Sequence, residues 1–464
     1  MKNLLLYLFF VLFLTTANFA KIKSVEKHFC VKPFQMIELQ NLGSSRIHIK
    51  AWDKNEIYVK LKFNFSSSDY DYESKVIRSF NIVSSEEDSI LLIKQTRISS
   101  ESSYAKFLGI KFRFSFYENS DIEGEIYVPR SNRLKCFQSY STISLENMRN
   151  EIQFYGKGNT LSLTNCALLR IIENDYGKTN IEKSSGNLFI KNKSGTVKIS
   201  DHSGTLFIEG EYSNITLNKI KQKVILNSKN AKHILTNLKS DLLVNSDYST
   251  VEVENVCGAA SINDRSGNIS VRNAASLDIN CDYTKVYASS INGNSEKKCK
   301  IKGTSGKITL ENSSAKIYIE NSFSDIVLKN IKGDINLKGK SSTVYAEKIK
   351  GKWESSSEYT RLTVKGLNGK YVKAANKGET IEFDLESVPS IVSIINELGA
   401  IKVSVPHDYS GIVNLSDTSG KIESNIPLKT KQIGNAAIAS GRLGSGYGKI
   451  NIENKSGDII FSKK

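Results

Sequence analysis

The chain has 464 residues, of which 39% are hydrophobic and 24% charged, and this composition excludes an intrinsically disordered protein. Its 5 His disfavour a metal-rich enzyme, and its 5 Pro disfavour a chain of proline-rich linkers. The formal net charge of +16 comes from 64 basic and 48 acidic residues, and only 12 of the basic residues are Arg. Because dedicated phosphate readers favour Arg, the charge indicates a solvated, lysine-rich surface or attraction to acidic partners, and no specific nucleic-acid binding.

Residues 1–20 have the pattern of a cleavable export signal. Lys2 precedes an apolar run at 4–14, and small residues follow it. The run is shorter than the ~20 residues that a membrane span needs, so we expect cleavage, after Ala17 or Ala20, and no transmembrane span in the mature chain. The protein is therefore predicted to be exported and to be periplasmic, held at the cell surface or secreted.

An exported chain can form disulfides, and this one has six cysteines: Cys30, Cys136, Cys166, Cys257, Cys281 and Cys299. Six cysteines allow many pairings, and free thiols buried in a repeat core explain them equally well. Cys281 and Cys299 flank a local insertion, which makes them the pair that we would favour for a disulfide. No CxxC and no Cys/His cluster has zinc spacing, so the sequence predicts no metal site.

Residues 21–130 are less regular than the rest of the chain. Two segments, 57–63 and 110–116, alternate as long strands, and polar stretches such as 66–72 join them. We predict a first coil of a repeat fold followed by a long hairpin that caps it. A terminal coil needs such a cap because its open edge presents unpaired backbone groups.

Residues 131–385 repeat with a period of nine. Pairs of apolar residues at positions i and i+2, such as Leu206 and Ile208, recur without a slip from 143 to 269. A one-residue deletion then precedes Leu277, and an insertion near 288–298 shifts the pattern by four. Short alternating strands separated by Gly- and Ser-containing turns, in a stretch without proline, predict a regular β-solenoid.

A longer period predicts the length of each coil. Apolar residues stand four positions before alternate strands, at Met148, Cys166, Ile220, Leu238, Val256, Ile331, Ile349 and Leu367, whereas the other strands carry charged residues there. The unit is therefore two strands and two unlike corners, one buried and one exposed. We predict an all-β, right-handed β-solenoid (β-helix-like) of nine-residue strand–turn units, about 18 residues per coil, with an N-terminal hairpin cap.

An aromatic residue stands three positions before every fourth strand. The series is Tyr140, Tyr176, Tyr212, Tyr248, Tyr283, Phe323 and Tyr359. The alternate coils have small residues there, so we predict a structural aromatic ladder along one corner, with large residues stacked over small ones. Because this period is 36 residues, a coil of 36 residues stays open as the alternative.

Five apolar residues, 18 apart, occupy a strand position that should face solvent. They are Ile171, Phe189, Phe207, Ile225 and Leu243. A monomer seldom leaves such an apolar stripe bare. We predict that the segment between Phe63 and Phe116 covers it, and the alternative is a surface for a partner or for self-association.

Residues 386–464 are predicted to form further coils and a second cap. The repeat recurs from 392 to 401 and from 450 to 459, Pro406 and Pro427 lie between these stretches, and a Gly/Ser-rich loop lies near 434–448.

Four segments carry a resemblance to a known family. They are FQMIEL at 34–39, IHIKAWD at 47–53, IYVP at 126–129 and the closing repeat at 448–460. The chain resembles, over nearly its whole mature length, the bacterial exported "putative adhesin" β-solenoid family. These motifs imply a fold and contain no catalytic residues, so the resemblance implies little about activity.

No motif predicts catalysis or a cofactor. The loop at 441–449 is similar to a phosphate loop, but Ile450 and a strand follow its lysine instead of Ser or Thr and a helix. The nonapeptide units lack the regular Gly-Gly and Asp of calcium-binding repeats. Asp247 and Asp282 occupy matching corners and are expected to be solvated turn residues. We therefore predict no catalytic, cofactor-binding or metal-binding residues.

These observations predict a non-catalytic exported β-solenoid that acts as a structural and binding protein of the cell envelope or surface, similar to an adhesin. Its partners would be acidic envelope polymers or another surface protein. The alternative is a carbohydrate-active β-helix enzyme, a polysaccharide lyase or hydrolase, which would need a groove with converging carboxylates.

Overall fold

A computed structural model describes residues 21–65, 70–87, 89–97, 104–107, 110–113, 120–293 and 298–464. The predicted signal segment at 1–20 lies outside these residues. The chain divides into two compact units, residues 1–203 (unit 1) and 204–464 (unit 2). The domain boundaries predicted at 130/131 and 385/386 stay predictions.

Within its described residues, unit 1 contains one helix, α1 (Tyr70–Ser79), and seventeen strands. The strands are β1 (Lys21–Cys30), β2 (Met36–Gln40), β3 (Arg46–Trp52), β4 (Glu56–Phe65), β5 (Phe80–Glu87), β6 (Ile90–Arg97), β7 (Tyr104–Phe107), β8 (Ile110–Arg113), β9 (Ser120–Pro129), β10 (Arg133–Phe137), β11 (Thr142–Glu146), β12 (Ile152–Lys157), β13 (Thr160–Thr164), β14 (Leu169–Asp175), β15 (Lys178–Ser185), β16 (Leu188–Lys191) and β17 (Thr196–Ser203).

Each coil of unit 1 contributes two strands that pair in parallel with the coils before and after it. Ile143 pairs with Leu161, and Leu161 pairs with Thr179, so the repeat distance is 18 residues. The predicted 18-residue coil is confirmed and the 36-residue alternative is wrong. Alternation places one side-chain set in the interior, where Ile143 and Leu161 are buried.

The first coil of unit 1 is closed by antiparallel strands. β2 and β3 pair in parallel with β10 and β11, and on their other side with β6 and β9. Beyond these, β5 pairs with β6, β4 with β9 and β1 with β4, all antiparallel. The predicted N-terminal hairpin cap is thus present. β7 and β8 form a separate antiparallel pair, and the side chains of 97–120 are outside the described part of the chain.

The predicted all-β fold class is confirmed, and the ten-residue helix α1 is a local exception to it. Glu73 and Val76 are buried, and their spacing of three residues places them on one side of a helix. Asp71 stands in the first turn and Arg78 in the last, where each charge is favourable to the helix dipole. The Lys23 ammonium lies 2.8 Å from the Glu73 carboxylate.

Unit 2 contains the remaining strands. They are β18 (Leu206–Glu211), β19 (Asn214–Ile220), β20 (Val224–Lys229), β21 (Lys232–Leu238), β22 (Leu242–Asp247), β23 (Thr250–Arg265), β24 (Asn268–Asp282), β25 (Lys285–Ile291), β26 (Lys298–Thr304), β27 (Lys307–Glu311), β28 (Lys316–Ser322), β29 (Asp325–Ile331), β30 (Ile335–Lys340), β31 (Thr343–Lys350), β32 (Trp353–Glu358), β33 (Arg361–Asn368), β34 (Tyr371–Asn376), β35 (Ile381–Leu385), β36 (Ile391–Leu398), β37 (Ile401–Val405), β38 (Gly411–Asp417), β39 (Ile422–Ser424), β40 (Lys429–Ile433), β41 (Ala436–Leu443), β42 (Gly448–Ser456) and β43 (Ile459–Lys463).

The parallel register of unit 2 absorbs the two irregularities of the sequence repeat. Leu242 pairs with Ala260 at the regular distance, Ala260 with Leu277 one residue short, and Leu277 with Cys299 four residues long. The regular distance then returns, since Cys299 pairs with Ile317. β23 and β24 each continue through a corner and contribute to both sides of a coil.

The C-terminal coils of unit 2 are not stacked in chain order. β42 and β43 pair in parallel with β36 and β37 on one side, and with β38 and β39 on the other. The final strands therefore fill a space left between earlier ones. β41 pairs antiparallel with both β38 and β40 and closes this end.

All six cysteines are free thiols, so the disulfide favoured between Cys281 and Cys299 is absent. Cys281 pairs with Gly303, four residues beyond Cys299 along β26, which is about 13 Å at strand rise. This offset is too long for a disulfide. Burial raises the pKa of the Cys281, Cys299 and Cys136 thiols to about 12.

No helix within the described residues is long and apolar enough to cross a bilayer.

Candidate binding site

One corner of unit 2 carries a column of aromatic residues. Each follows the last residue of a strand: Tyr212, Tyr248, Tyr283, Phe323 and Tyr359 come directly after β18, β22, β24, β28 and β32. The preceding strand ends are in register, for example Asp247 with Arg265 and Arg265 with Asp282. The five aromatic residues therefore share one position, on every second coil. We call this column the aromatic corner.

The backbone at the aromatic corner is left-handed. The φ angles of the five residues lie between 50° and 55°. Each coil in between has the same conformation at a small residue, at Asn230, Ser266, Ser305 and Ser341. The N–H group of Tyr248 donates to the carbonyl of Arg265 (2.7 Å), and that of Ser266 to the carbonyl of Asp282 (2.8 Å). Pairing between coils thus continues around the turn, although the left-handed conformation is unfavourable for a bulky residue.

The rings at the aromatic corner lie on the outer surface. Their exposed fractions range from 48% for Tyr359 to 66% for Tyr283. A Cβ atom on Gly378 would lie 2.9 Å from Cδ1 of Tyr359, so that ring leans over the turn of the next coil. The Arg265 guanidinium likewise lies 5.6 Å from the centre of the Tyr248 ring. The large-over-small arrangement therefore occurs outside the interior.

Charges of opposite sign alternate beside the rings. Four of the five coils with an aromatic residue end their strand in an acid, Glu211, Asp247, Asp282 or Glu358, and the fifth ends in Ser322. Of the four coils between them, three end in a base, Lys229, Arg265 or Lys340, and one ends in Thr304. Arg265 lies 3.2 Å from Asp247, and Lys340 lies 3.8 Å from Glu358. Asp282 accepts a hydrogen bond from the Thr304 hydroxyl (2.7 Å). The predicted solvated acids Asp247 and Asp282 are thus paired, and the corner is nearly neutral.

Unit 1 has the other two members of the predicted ladder. Tyr140 and Tyr176 also have left-handed backbone, with φ of 57° and 60°, and both are exposed. A Cβ atom on Gly158 would lie 2.6 Å from Cδ1 of Tyr140, which explains why this left-handed position is glycine.

The five residues of the predicted apolar stripe are half-buried. Ile171 pairs with Phe189 in unit 1; in unit 2, Phe207 pairs with Ile225 and Ile225 with Leu243. The side chains of Ile110 and Phe112 in β8, and all of Phe114 and Phe116, lie outside the described residues. The proposed cover of the stripe stays a prediction.

A lysine-lined groove on unit 2 was missed in the sequence analysis. Its lining residues come from β26, β28 and β30 and enclose a cavity of about 410 Å³: Lys298, Lys300, Lys302, Tyr318, Ile319, Glu320, Asn336 and Lys338. An adjoining cavity of about 440 Å³ shares three of these residues and adds Lys340. We call these two cavities the lysine groove.

Tyr318 lies at the centre of the lysine groove. It pairs with Lys300 on one side and Asn336 on the other, and the Lys298 and Lys316 ammonium groups lie 5.5 and 5.2 Å from its ring centre. In the sequence, the signal for this groove is the alternation of lysines in KCKIK at 298–302. Their meeting with Lys338 depends on the register after the four-residue insertion.

The single carboxylate in the lysine groove is already paired. Glu320 lies 2.7 Å from the Lys302 ammonium, and this hydrogen bond and charge lower the pKa of Glu320. Lys300 is 3.5 Å from Asp278, whereas among the described residues Lys298 and Lys338 have no ion-pair partner. The groove therefore presents an excess of positive charge.

Two titratable side chains of unit 2, His233 and Asp264, lie in the interior and are hydrogen-bonded there. His233 occupies an interior position in register with Ile215 and Val251, its Nε2 lies 2.7 Å from the Ser228 hydroxyl, and burial lowers its pKa to about 4. Burial raises the pKa of Asp264, although Asp264 accepts a hydrogen bond from Ser246 (2.8 Å). Within the described part of the chain, no three His, Cys, Asp or Glu side chains come together as a metal site.

No family model and no curated protein matches the chain. Solved structures do match. A "putative cell adhesion protein" from Clostridium sporogenes is 11% identical over 95% of this chain and 100% of its own, with a TM-score of 0.16. A "putative adhesin" from Bacteroides fragilis is 14% identical over 64% and 97%, with a TM-score of 0.19. A "putative lipid binding protein" from Parabacteroides distasonis is 12% identical over 76% and 96%, with a TM-score of 0.18. Because these TM-scores are low, the fold is assigned from the strand pairing observed in this chain and not from these structures. The first two names contain adhesion or adhesin, as does the name of the family that the sequence resembles, and the third refers to lipid binding.

Proposed function

We propose that this chain is an exported, non-catalytic β-solenoid of the bacterial envelope or surface, and that it binds an acidic polymer. The observation that carries the proposal is the lysine groove of unit 2. Five lysines and one carboxylate line its two cavities, and that carboxylate is held by Lys302.

The groove suits an extended polyanion better than a compact anion. Lys298, Lys300 and Lys302 stand on alternate residues of β26 and therefore project on the same side over about 13 Å. Lys338 and Lys340 are likewise alternate residues of one strand, β30, two coils further on, so they too project on the same side. Lysines act as mobile point charges, so they can follow a chain of carboxylates or phosphates without fixing one geometry.

The same residues disfavour the carbohydrate-active enzyme. A hydrolase needs a pair of carboxylates, and a lyase needs clustered carboxylates or an Arg or Lys together with carboxylates, whereas this groove has a single carboxylate. The pKa of Glu320 is lowered by its hydrogen bond to Lys302, which keeps it ionised and engaged. We therefore assign binding, and no bond cleavage, to the groove.

Charge substitution tests the proposal. The variant Lys298→Gln/Lys300→Gln/Lys338→Gln should weaken binding of polygalacturonate about tenfold, since three exposed charge contacts contribute about 0.5 kcal/mol each. The matched control Lys307→Gln/Lys365→Gln/Lys402→Gln removes the same charge from exposed lysines of β27, β33 and β37 and should bind as the parent does. Binding should weaken as salt is added.

Two results would contradict the proposal. Equal loss in both variants would mean that net charge, and not the groove, attracts the polymer. Shortening of the polymer during incubation would identify an enzyme. Fractionation of the native cell tests the export step, which requires the protein in the periplasm, surface or medium fraction.

A further inference from the structure

We propose that the aromatic corner of unit 2 is a second binding site, which adjoins the lysine groove at Lys340 but is lined by different side chains, and that it takes an extended, uncharged β-1,4-linked polysaccharide. The first reason is the conformational energy that left-handed backbone costs an aromatic residue. Tyr and Phe are poor residues for left-handed backbone, yet they occupy it on every second coil from Tyr212 to Tyr359. Such positions persist most often where function needs the side chain.

The second reason is the accessibility of the rings. Two of the rings contact the next coil, Tyr359 over Gly378 and Tyr248 against the Arg265 guanidinium, while about half or more of all five side chains stays exposed. No hydrogen bond to the hydroxyl groups of Tyr212, Tyr248, Tyr283 and Tyr359 occurs among the described residues. The column thus offers flat apolar platforms with polar edges, already in place before a ligand arrives.

The third reason is spacing. Successive rings are two coils apart, about 9.6 Å, and five rings extend over about 38 Å. Two residues of an extended β-1,4-linked glycan have a similar length, and its pyranose rings present C–H faces that pack on aromatic rings. One sugar of each disaccharide can therefore stack on each ring, with the next sugar over the small residue of the coil between.

The fourth reason is charge. Acids and bases alternate beside the rings and pair with each other, as Asp247 does with Arg265. They supply donors and acceptors for sugar hydroxyl groups without a net field that would select a polyanion. This is the opposite of the lysine groove, and it is why we assign the two sites different polymers.

The test is titration of the full chain with cellohexaose and chitohexaose. A hexasaccharide can stack on three rings, so it should bind about tenfold or more tightly than the corresponding disaccharide. The variant Tyr248→Asn/Tyr283→Asn/Phe323→Asn should lose that difference and weaken hexasaccharide binding about tenfold or more. Asparagine already occupies the equivalent position at Asn230, so the backbone tolerates it.

Three controls make the result specific. Tyr447→Asn removes a fully exposed ring away from the corner and should bind as the parent does. The Lys298→Gln/Lys300→Gln/Lys338→Gln variant should also bind the hexasaccharide normally, which separates this proposal from the acidic-polymer function. If the triple aromatic variant loses its cooperative thermal transition, single Tyr248→Asn and Phe323→Asn variants replace it.

Three outcomes would overturn the proposal. They are no binding of either β-1,4-linked hexamer, unchanged binding by the aromatic variants, or equal binding of the curved, α-linked maltohexaose. Loss of a dimer in the aromatic variants, with no effect on sugar, would identify a second copy of this chain as the ligand instead.

Discussion

The two corners of each coil in unit 2 have the same backbone conformation but use different side chains. Opposite the aromatic corner, left-handed residues precede a buried position that is apolar in most coils. Most of these left-handed residues are asparagines: Asn237, Asn255, Asn273, Asn312 and Asn330, with φ from 53° to 59°. Their amides stack, since Asn255 donates to Asn237 (3.1 Å) and Asn273 to Asn255 (2.7 Å). We call this column the asparagine corner.

The difference indicates which corner is built for stability. Asparagine accepts left-handed backbone readily, and each stacked amide satisfies its neighbour. The next residue at this corner, such as Leu238 or Ile331, is fully buried. The aromatic corner has strained, exposed rings at the same backbone position. Stability therefore explains the asparagine corner, whereas the aromatic corner requires a reason outside the fold.

The largest expected effect is at the buried side of the asparagine corner. Ile331→Ala removes a fully buried side chain stacked on Ile349 and should lower the free energy of unfolding by about 2–5 kcal/mol. Denaturant titration followed by circular dichroism measures this. The exposed neighbour Lys332→Ala should change little, and equal loss in both variants would contradict the interior role of Ile331.

The next effect depends on pH. His233 has a pKa lowered to about 4 in the folded chain, against 6.5 when unfolded. Above pH 6.5 both states are neutral, so the histidine has no effect. Below pH 6.5 the unfolded state binds the proton first, and stability falls by up to about 3 kcal/mol on approach to pH 4.

His233→Val isolates this contribution, because valine matches the neighbouring Val251 in the interior. Denaturant midpoints at pH 7 and at about pH 4.5 should differ less for the variant than for the parent. The same difference in both proteins would show that other groups cause the acid sensitivity.

A smaller effect is expected in the asparagine column itself. Asn255→Ala removes the amide hydrogen bonds to Asn237 and Asn273 and puts alanine in left-handed backbone. Together these should cost about 1–2 kcal/mol. Asn255→Gly restores the backbone freedom but not the amide, so its stability should lie between those of the parent and the alanine variant.

The sequence was sufficient for features that repeat. The nine-residue alternation and the 18-residue series of buried residues, such as Ile331 and Ile349, predicted the coil and its unlike corners. It was insufficient where pairing is non-local. The insertion of β42 between β36 and β38 leaves no mark in the pattern, because every coil presents the same alternation to its neighbours. Exposure of the rings was missed since periodicity gives position along the chain and not the tilt of a side chain.

The lysine groove was missed for a related reason. Lys298 and Lys338 are 40 residues apart and line the same groove only because β28 pairs with both β26 and β30 and fixes their register. A composition dominated by lysine hides such a cluster among solvated residues. The separate lysines form one positively charged groove only when the coils stack in this register.

The smallest expected effect is at the aromatic corner, with Tyr283→Asn. Relief of left-handed strain should contribute about 1 kcal/mol, and loss of the buried part of the ring should cost a similar amount, because the ring is mostly exposed. The two should cancel to within about 0.5 kcal/mol, in contrast to the loss in Asn255→Ala. Denaturant titration beside Ser305→Asn, a change at the small position of the next coil, measures this. A loss above ~2 kcal/mol would make Tyr283 a structural residue and remove the reason for a ligand at this corner. Unchanged stability with weaker sugar binding would separate the two corners completely, one for folding and one for binding.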